Sequence, residues 1–196
     1  MNTAFNLESY LTDGVENIVS GILKATLNNP KESCCMAKHA IQSRRAGRLR
    51  QAAQEGGQHI PPFLIASITT QCNLHCKGCY ARANHSCYDR EPAGAAPQRL
   101  EAEQWGSIFQ QAEEVGIEFI LLAGGEPFVR RDVLTIAGAH SGILFPVFTN
   151  GTLIDRDYLE LLDKNRNLIP IVSIEGKQET TDARRGAGIY QRLHTA

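Results

Sequence analysis

From Pro62 onward the chain alternates short apolar, β-branched runs with helical stretches, and this alternation constrains the fold more than any other feature. Phe63 to Thr70 (FLIASITT), Ile117 to Ala123 (IEFILLA), Ile143 to Thr149 (ILFPVFT) and Leu168 to Glu175 (LIPIVSIE) read as strands. Leu100 to Val115, Val129 to Ala139 and Ile154 to Asn165 read as the intervening helices, and a last helix begins near Gln178. Strands separated by helices predict βα units around a parallel sheet, an α/β fold. Pro146 and Pro170 weaken the third and fourth strands, because proline gives no N–H to a ladder.

The first sixty residues follow a different pattern. Leu7, Leu11, Val15, Ile18, Ile22 and Leu23 recur at helical spacing, and Asn28-Asn29-Pro30 reads as a stop. A second helical stretch, about Lys31 to Gln54, carries Lys38, Arg44, Arg45, Arg48 and Arg50. That run reads as a solvated face, with an acidic partner or anionic surface as the alternative. Gly56-Gly57 and Pro61-Pro62 mark the boundary, dividing the chain into a helical extension (1–60) and a βα core (61–196).

The 196 residues have room for one domain with a substantial core. A net charge of −1 gives no global field toward nucleic acid or membrane. No apolar run approaches the roughly 20 residues that span a bilayer. Met1 to Tyr10 lacks the basic-then-apolar pattern of a secretory signal, so the expected location is the cytoplasm.

Three of the six cysteines, Cys72, Cys76 and Cys79, fall in the stretch CNLHCKGC, directly after the first strand. Thiolates so close in sequence can converge on one inorganic cluster from a single loop. An ordinary 4Fe–4S cluster takes four cysteines, so three would leave one iron free to bind a substrate. Structural zinc, with His75, His85 or Cys87 as fourth ligand, and unligated thiols are the other readings. Cys34 and Cys35 read as small half-buried helix residues.

Other strand ends carry polar residues. Gly124-Gly125-Glu126-Pro127 follows the second strand; its glycines let backbone approach a ligand, and Glu126 offers a carboxylate to a cationic group. Alone, the tetrapeptide is a βα turn. Thr149-Asn150-Gly151 ends the third strand; a hairpin there would need a paired strand next, but Leu153 to Leu162 reads as helix. On the fourth strand Ile171, Ser173 and Glu175 share one face by alternation, and Ser173 reads either as a site residue or as a cap.

CxxxCxxC at the end of a first βα strand, then GGEP, TNG and Ser-x-Glu-Gly at the next three strand ends, resembles the radical S-adenosylmethionine (SAM) superfamily from about Pro62 to Arg192. The surrounding CNLxCxxCY is similar to its peptide- and cofactor-maturing branch. Gly78 departs from the aromatic residue often found before the third cysteine; Tyr80 or a backbone contact would serve instead. The resemblance implies a partial (β/α) TIM-like barrel with its chemistry on the carboxyl-terminal rim. It implies a 4Fe–4S cluster on Cys72, Cys76 and Cys79 that cleaves SAM to a 5′-deoxyadenosyl radical, which takes hydrogen from a substrate the sequence does not name. Gly124, Gly125 and Glu126 would meet the SAM amino group, Thr149 and Asn150 would lie near cofactor or substrate, and Ser173 would touch the ribose. Glu175 belongs to the same strand-end element, and Arg185 is the candidate for the SAM carboxylate, an exposed arginine being the alternative. An electron donor such as flavodoxin or ferredoxin is implied as partner. The superfamily core usually has six βα units and four are counted here, so the expectation is a truncated frame or fragment, an unusually small member being the alternative; its open sheet edge would favour association, and the chain alone would fold poorly or bind SAM weakly. A noncatalytic Fe–S carrier and a zinc-stabilised binding module are the competing functional readings.

Overall fold

The structure is a computed structural model that describes residues 29–89 and 99–195; the helix expected around Leu7 to Leu23 lies outside them. Helix α1 (Pro30–Glu55) begins where Asn29 Oδ1 accepts the Lys31 N–H (3.0 Å) and Pro30 occupies the first turn. The segment read as a stop is therefore also a start: proline has no N–H to lose there. Strand β1 (Phe63–Thr69) is followed by a loop and the short α2 (Tyr80–Ala83). Then come α3 (Ala102–Glu114), β2 (Phe119–Gly124), a 3₁₀ turn at Pro127–Val129 and α4 (Arg131–Ala139). β3 (Phe145–Thr149), α5 (Arg156–Lys164), β4 (Leu168–Val172), α6 (Gln178–Arg185) and α7 (Ile189–Thr195) complete the order.

The four strands form one sheet in the order β1-β2-β3-β4, every pair parallel. Registers Leu64↔Ile120, Ala66↔Leu122, Leu122↔Val147 and Phe145↔Leu168 stack one residue set across the sheet. That set faces the helices. Ile120, Leu122, Phe145 and Val147 are buried there with Phe109 of α3 and Val133 and Leu134 of α4. The alternate set, with Phe63, Ile65, Phe148, Ile169 and Ile171, lies on the other face and stays exposed. Sequential parallel order with helices on one side is an open section of a βα barrel.

Both strand prolines sit where a missing donor does little harm. Phe145 N–H reaches Asn167 O on the β4 side, so Pro146 would have donated toward β2. There the ladder thins to the single pair Leu122↔Val147, with a bridge Phe119↔Leu144. Ser173 N–H points to Thr149 O, so by alternation the empty position at Pro170 faces away from β3. β4 ends at Val172, short of the predicted Glu175, and the ladder bond of Ser173 is its last tie to β3.

α1 is fixed beneath the sheet by Glu118, which precedes β2. Glu118 is 6% exposed and accepts from Ser43 Oγ (2.7 Å) and Arg50 (2.5 Å). One member of the basic run thus serves inside the chain. Among the described residues, no helix is long and apolar enough to cross a membrane.

A second buried charge locks the carboxyl half of β1. Arg130 is fully buried; its guanidinium donates to Ile68 O (3.1 Å), to Leu100 O (3.1 Å) and in two places to Asp132. A buried cation persists only with such a full set of acceptors. Arg130→Met is expected to destabilise the chain by about 3 kcal/mol, since it strands two carbonyls and an acid. Arg131→Met, on the surface, should cost under about 1 kcal/mol. Denaturant titrations of the two variants separate them; equal losses contradict the assignment.

Candidate functional site

The cysteine loop leaves β1 and is pinned along its length. Cys72 N–H donates to Tyr88 O (2.9 Å), and Gln71 pairs with Tyr88 in a parallel bridge. Arg82 of α2 reaches back to Leu74 O (2.7 Å) and Cys72 O (3.3 Å) while pairing with Asp89 (2.8 Å). Lys77 N–H donates to Arg184 O (2.7 Å), tying the loop to α6. Gly78 has φ +69°, a left-handed backbone that an aromatic residue would rarely adopt, which accounts for glycine before the third cysteine. Tyr80 is 75% exposed and so open to a ligand.

Cys72, Cys76 and Cys79 are all half-buried, at the carboxyl end of β1. Among the described residues no three His, Cys, Asp or Glu side chains converge closely enough to hold a single metal ion. Cys87 is buried at 4% exposure, and burial, with Cys72 beside it, pushes its thiol up to about 11. Burial likewise raises Cys72. His75 lies on Asp89 (3.0 Å), and His85 is exposed, with φ +53°.

The structure gives Gly124 and Gly125 a further reason to be glycine. A Cβ on Gly124 would lie 2.2 Å from Thr69 O, and one on Gly125 would lie 2.1 Å from Gln71 O. Gly124 also has φ +139°. The backbone they approach is the start of the cysteine loop. Gly125 N–H donates to Thr69 O (2.9 Å), and Glu126 N–H to Gln71 O (2.7 Å), so the two strand ends are sewn together.

Glu126 carries the seam to β3. Its side chain is 1% exposed. Oε1 accepts from Phe128 N–H (3.0 Å) and Thr149 Oγ1 (2.7 Å), and Oε2 accepts from Asn150 N–H (2.7 Å). Burial holds its carboxyl above the ordinary range against these three bonds. Thr149 Oγ1 in turn accepts from Gly151 N–H (3.0 Å). Asn150 Oδ1 accepts from Thr152 N–H (2.9 Å), and its Nδ2 donates to Asn73 Oδ1 (2.9 Å). The side chains of Glu126, Thr149 and Asn150 therefore face one another and the cysteine loop. No hairpin follows: α5 comes next, capped by Asp155 Oδ1 on Tyr158 N–H (2.9 Å).

At the fourth strand end the residues separate into two roles. Glu175 is paired: Oε1 receives Arg185 Nη2 (2.6 Å) and Nε (3.1 Å), and Oε2 receives Arg184 Nη1 (3.1 Å). Arg185, 12% exposed at its side chain, lies close enough to Glu126 to lower it slightly. Ser173 is half-buried, and among the described residues its hydroxyl has no partner. It caps nothing, because α6 begins after Lys177. Asn73, part of CNLxCxxCY but given no role there, joins the site, as do Thr152 and Arg82, which nothing in the spacing of the sequence singled out.

Two variants test this geometry. Glu126→Ala leaves three donors without their acceptor and is expected to cost about 3 kcal/mol by chemical denaturation. The Arg185 bonds hold Glu175 below the usual carboxylate range. Its contribution is present above its ordinary value and lost as pH falls through the lowered one. Thermal melts across acid pH should give a shallower acid limb for Glu175→Gln than for the unmodified chain; identical limbs refute the pairing.

The comparisons with known proteins agree on one family. A model described as the Radical SAM superfamily matches residues 66–194. The AdoMet-dependent heme synthase of Methanosarcina barkeri is 34% identical over 136 residues, 67% of this chain and 37% of that protein. The PqqA peptide cyclase of Rhizobium meliloti is 31% identical over 139 residues, 68% of this chain and 35% of that one. The chain thus spans about a third of the length of these curated relatives. In fold it is similar to Streptococcus suis SuiB bound to S-adenosylmethionine: the TM-score is 0.57 at 23% identity, covering 69% of this chain and 30% of that one.

Proposed function

The chain belongs to the radical SAM superfamily, and from that premise we propose that Cys72, Cys76 and Cys79 hold a 4Fe–4S cluster that acts on S-adenosylmethionine. The observation that carries the reading is a loop with three accessible thiols, fixed at the carboxyl end of β1 and hydrogen-bonded to the end of β3. The donor set fits the group. Three thiolates from one loop can each take a different iron of such a cluster, and one iron would be left without protein sulfur. Cys87 is enclosed, at 4% exposure, while the other three thiols are half-buried, so the reading takes three protein ligands and not the four of a plain electron carrier.

Held by Cys72, Cys76 and Cys79, such a cluster would supply the electron for reductive cleavage of S-adenosylmethionine, the source of a radical that would take hydrogen from substrate. The protein binds, orients and shields. Arg82 and the Lys77–Arg184 tie fix the loop that presents the thiols. Gly124 and Gly125 give the backbone on which the methionine part would rest, and the enclosed Glu126 lends that rim negative charge toward an amino group. Arg185 would take the carboxylate, with Glu175 holding it until one arrives. Ser173, its hydroxyl unpartnered, is the residue for the ribose. Thr149 and Asn150 act by holding Glu126 and the loop. Residues 1–60 would be an extension to the core of residues 61–196, in a cytoplasmic protein served by a flavodoxin or ferredoxin. The substrate class that the relatives favour is a peptide or cofactor precursor: SuiB is described with a precursor peptide, and the PqqA cyclase acts on a peptide by name.

Anaerobic reconstitution with iron and sulfide tests the proposal. About four irons per chain are expected, with an electron paramagnetic resonance spectrum that changes on adding S-adenosylmethionine. Cys76→Ala should lose the cluster. A colourless zinc protein, or a cluster indifferent to S-adenosylmethionine, would end the reading.

A further inference from the structure

Asn73 lies directly after Cys72 and offers no ligand chemistry of its own, yet its amide closes a ring. Asn73 Nδ2 donates to Thr152 Oγ1 (2.9 Å). Thr152 Oγ1 donates to Asn150 Oδ1 (2.7 Å), and Asn150 Nδ2 donates back to Asn73 Oδ1 (2.9 Å). Each side chain donates once and accepts within the ring, so the dipoles run head to tail and reinforce one another.

The ring joins unequal parts. Asn150 is 7% exposed and Thr152 4%, while Asn73 is exposed on the cysteine loop. Behind Asn150 its own N–H is held by the enclosed Glu126 (2.7 Å). A surface loop is thereby hooked to a rigid floor built from the ends of β2 and β3. Arg82 grips Cys72 O and Leu74 O from α2, and Lys77 N–H reaches α6. Neither of those ties runs to β3. Glu126 joins the start of the loop at Gln71 to that strand end, and the Asn73 ring adds a direct tie beside Cys72.

We infer that Asn73 is a positioning residue: through Asn150 and Thr152 it fixes where the Cys72–Cys79 loop lies over the end of β3, and so where a cluster on those thiols meets its co-substrate. The inference deepens the functional reading above and rests on it for what the loop carries. The brace itself is a property of the cluster-free chain.

Two substitutions cut the ring from opposite sides. Asn73→Ala removes the amide. Thr152→Val removes the hydroxyl at nearly constant volume, away from the cysteines, and Thr152→Ser restores it. Hydrogen exchange of the 72–79 amides is measured on cluster-free protein; the rate of iron loss to a chelator and the cluster's midpoint potential are measured on reconstituted protein. Both cutting variants should exchange the loop amides about tenfold faster, with α1 and α4 unchanged and Thr152→Ser near the unmodified chain. Iron loss should quicken and the potential shift in the same two variants. The double variant should be no worse than the worse single, because both break one ring. Unchanged exchange in both singles, or additive effects in the double, overturns the brace. An unmodified chain that takes up no iron overturns the functional reading instead, and the exchange comparison then decides the brace alone.

Discussion

The end of β2 lies against the start of the cysteine loop with no room for a side chain between them. At Gly124 and Gly125 a single added carbon would stand about two ångströms from the carbonyls of Thr69 and Gln71. Everything functional is placed relative to that contact. It fixes Glu126 in the interior, and Glu126 then collects donors from Phe128, Thr149 and Asn150. Three strand ends become one polar unit through two glycines and one carboxylate.

This unit changes what its members can do. A carboxylate with three donors, sealed from water, is a poor free ligand and a strong organiser. Most residues that the sequence offered as ligand contacts are engaged with each other here. The same holds at β4, where Glu175 is occupied by Arg184 and Arg185. A ligand carboxylate arriving there would exchange with Glu175 for an arginine already oriented, which lowers the ordering cost of binding. Ser173 differs: its hydroxyl is open.

The architecture was legible because it rests on local patterns. Alternating apolar runs placed all four strands within a few residues, and the cysteine spacing fell on the loop after the first. β4 was drawn three residues too long, because Ser173 and Glu175 continue the alternation of its sequence after its ladder has ended. The glycine pair has a second reason to be glycine: backbone from about fifty-five residues earlier packs against it, which no local pattern reveals. Thr152, Arg130 and Glu118 escaped notice for a similar cause, and Asn73 was seen within its motif but not its role. A lone polar residue in a sequence carries no sign of its partner; Arg130 becomes meaningful only once Ile68 O and Leu100 O are brought to it. The basic run on α1 was only partly a solvated face, since Arg50 meets the buried Glu118.

Pro170 has a consequence for the chain's behaviour in solution. On the outer margin of β4, Leu168 N–H is already given to Asn165 O, and Pro170 has none to give. Of that strand's outward amides only the one on Val172 remains. A foreign strand seeking to extend the sheet would meet acceptors with almost no matching donors, a gatekeeper against amyloid-like stacking. Self-association, where it occurs, is steered toward greasy face-to-face contact, which detergent reverses and kosmotropic salt strengthens, and away from a templated fibril.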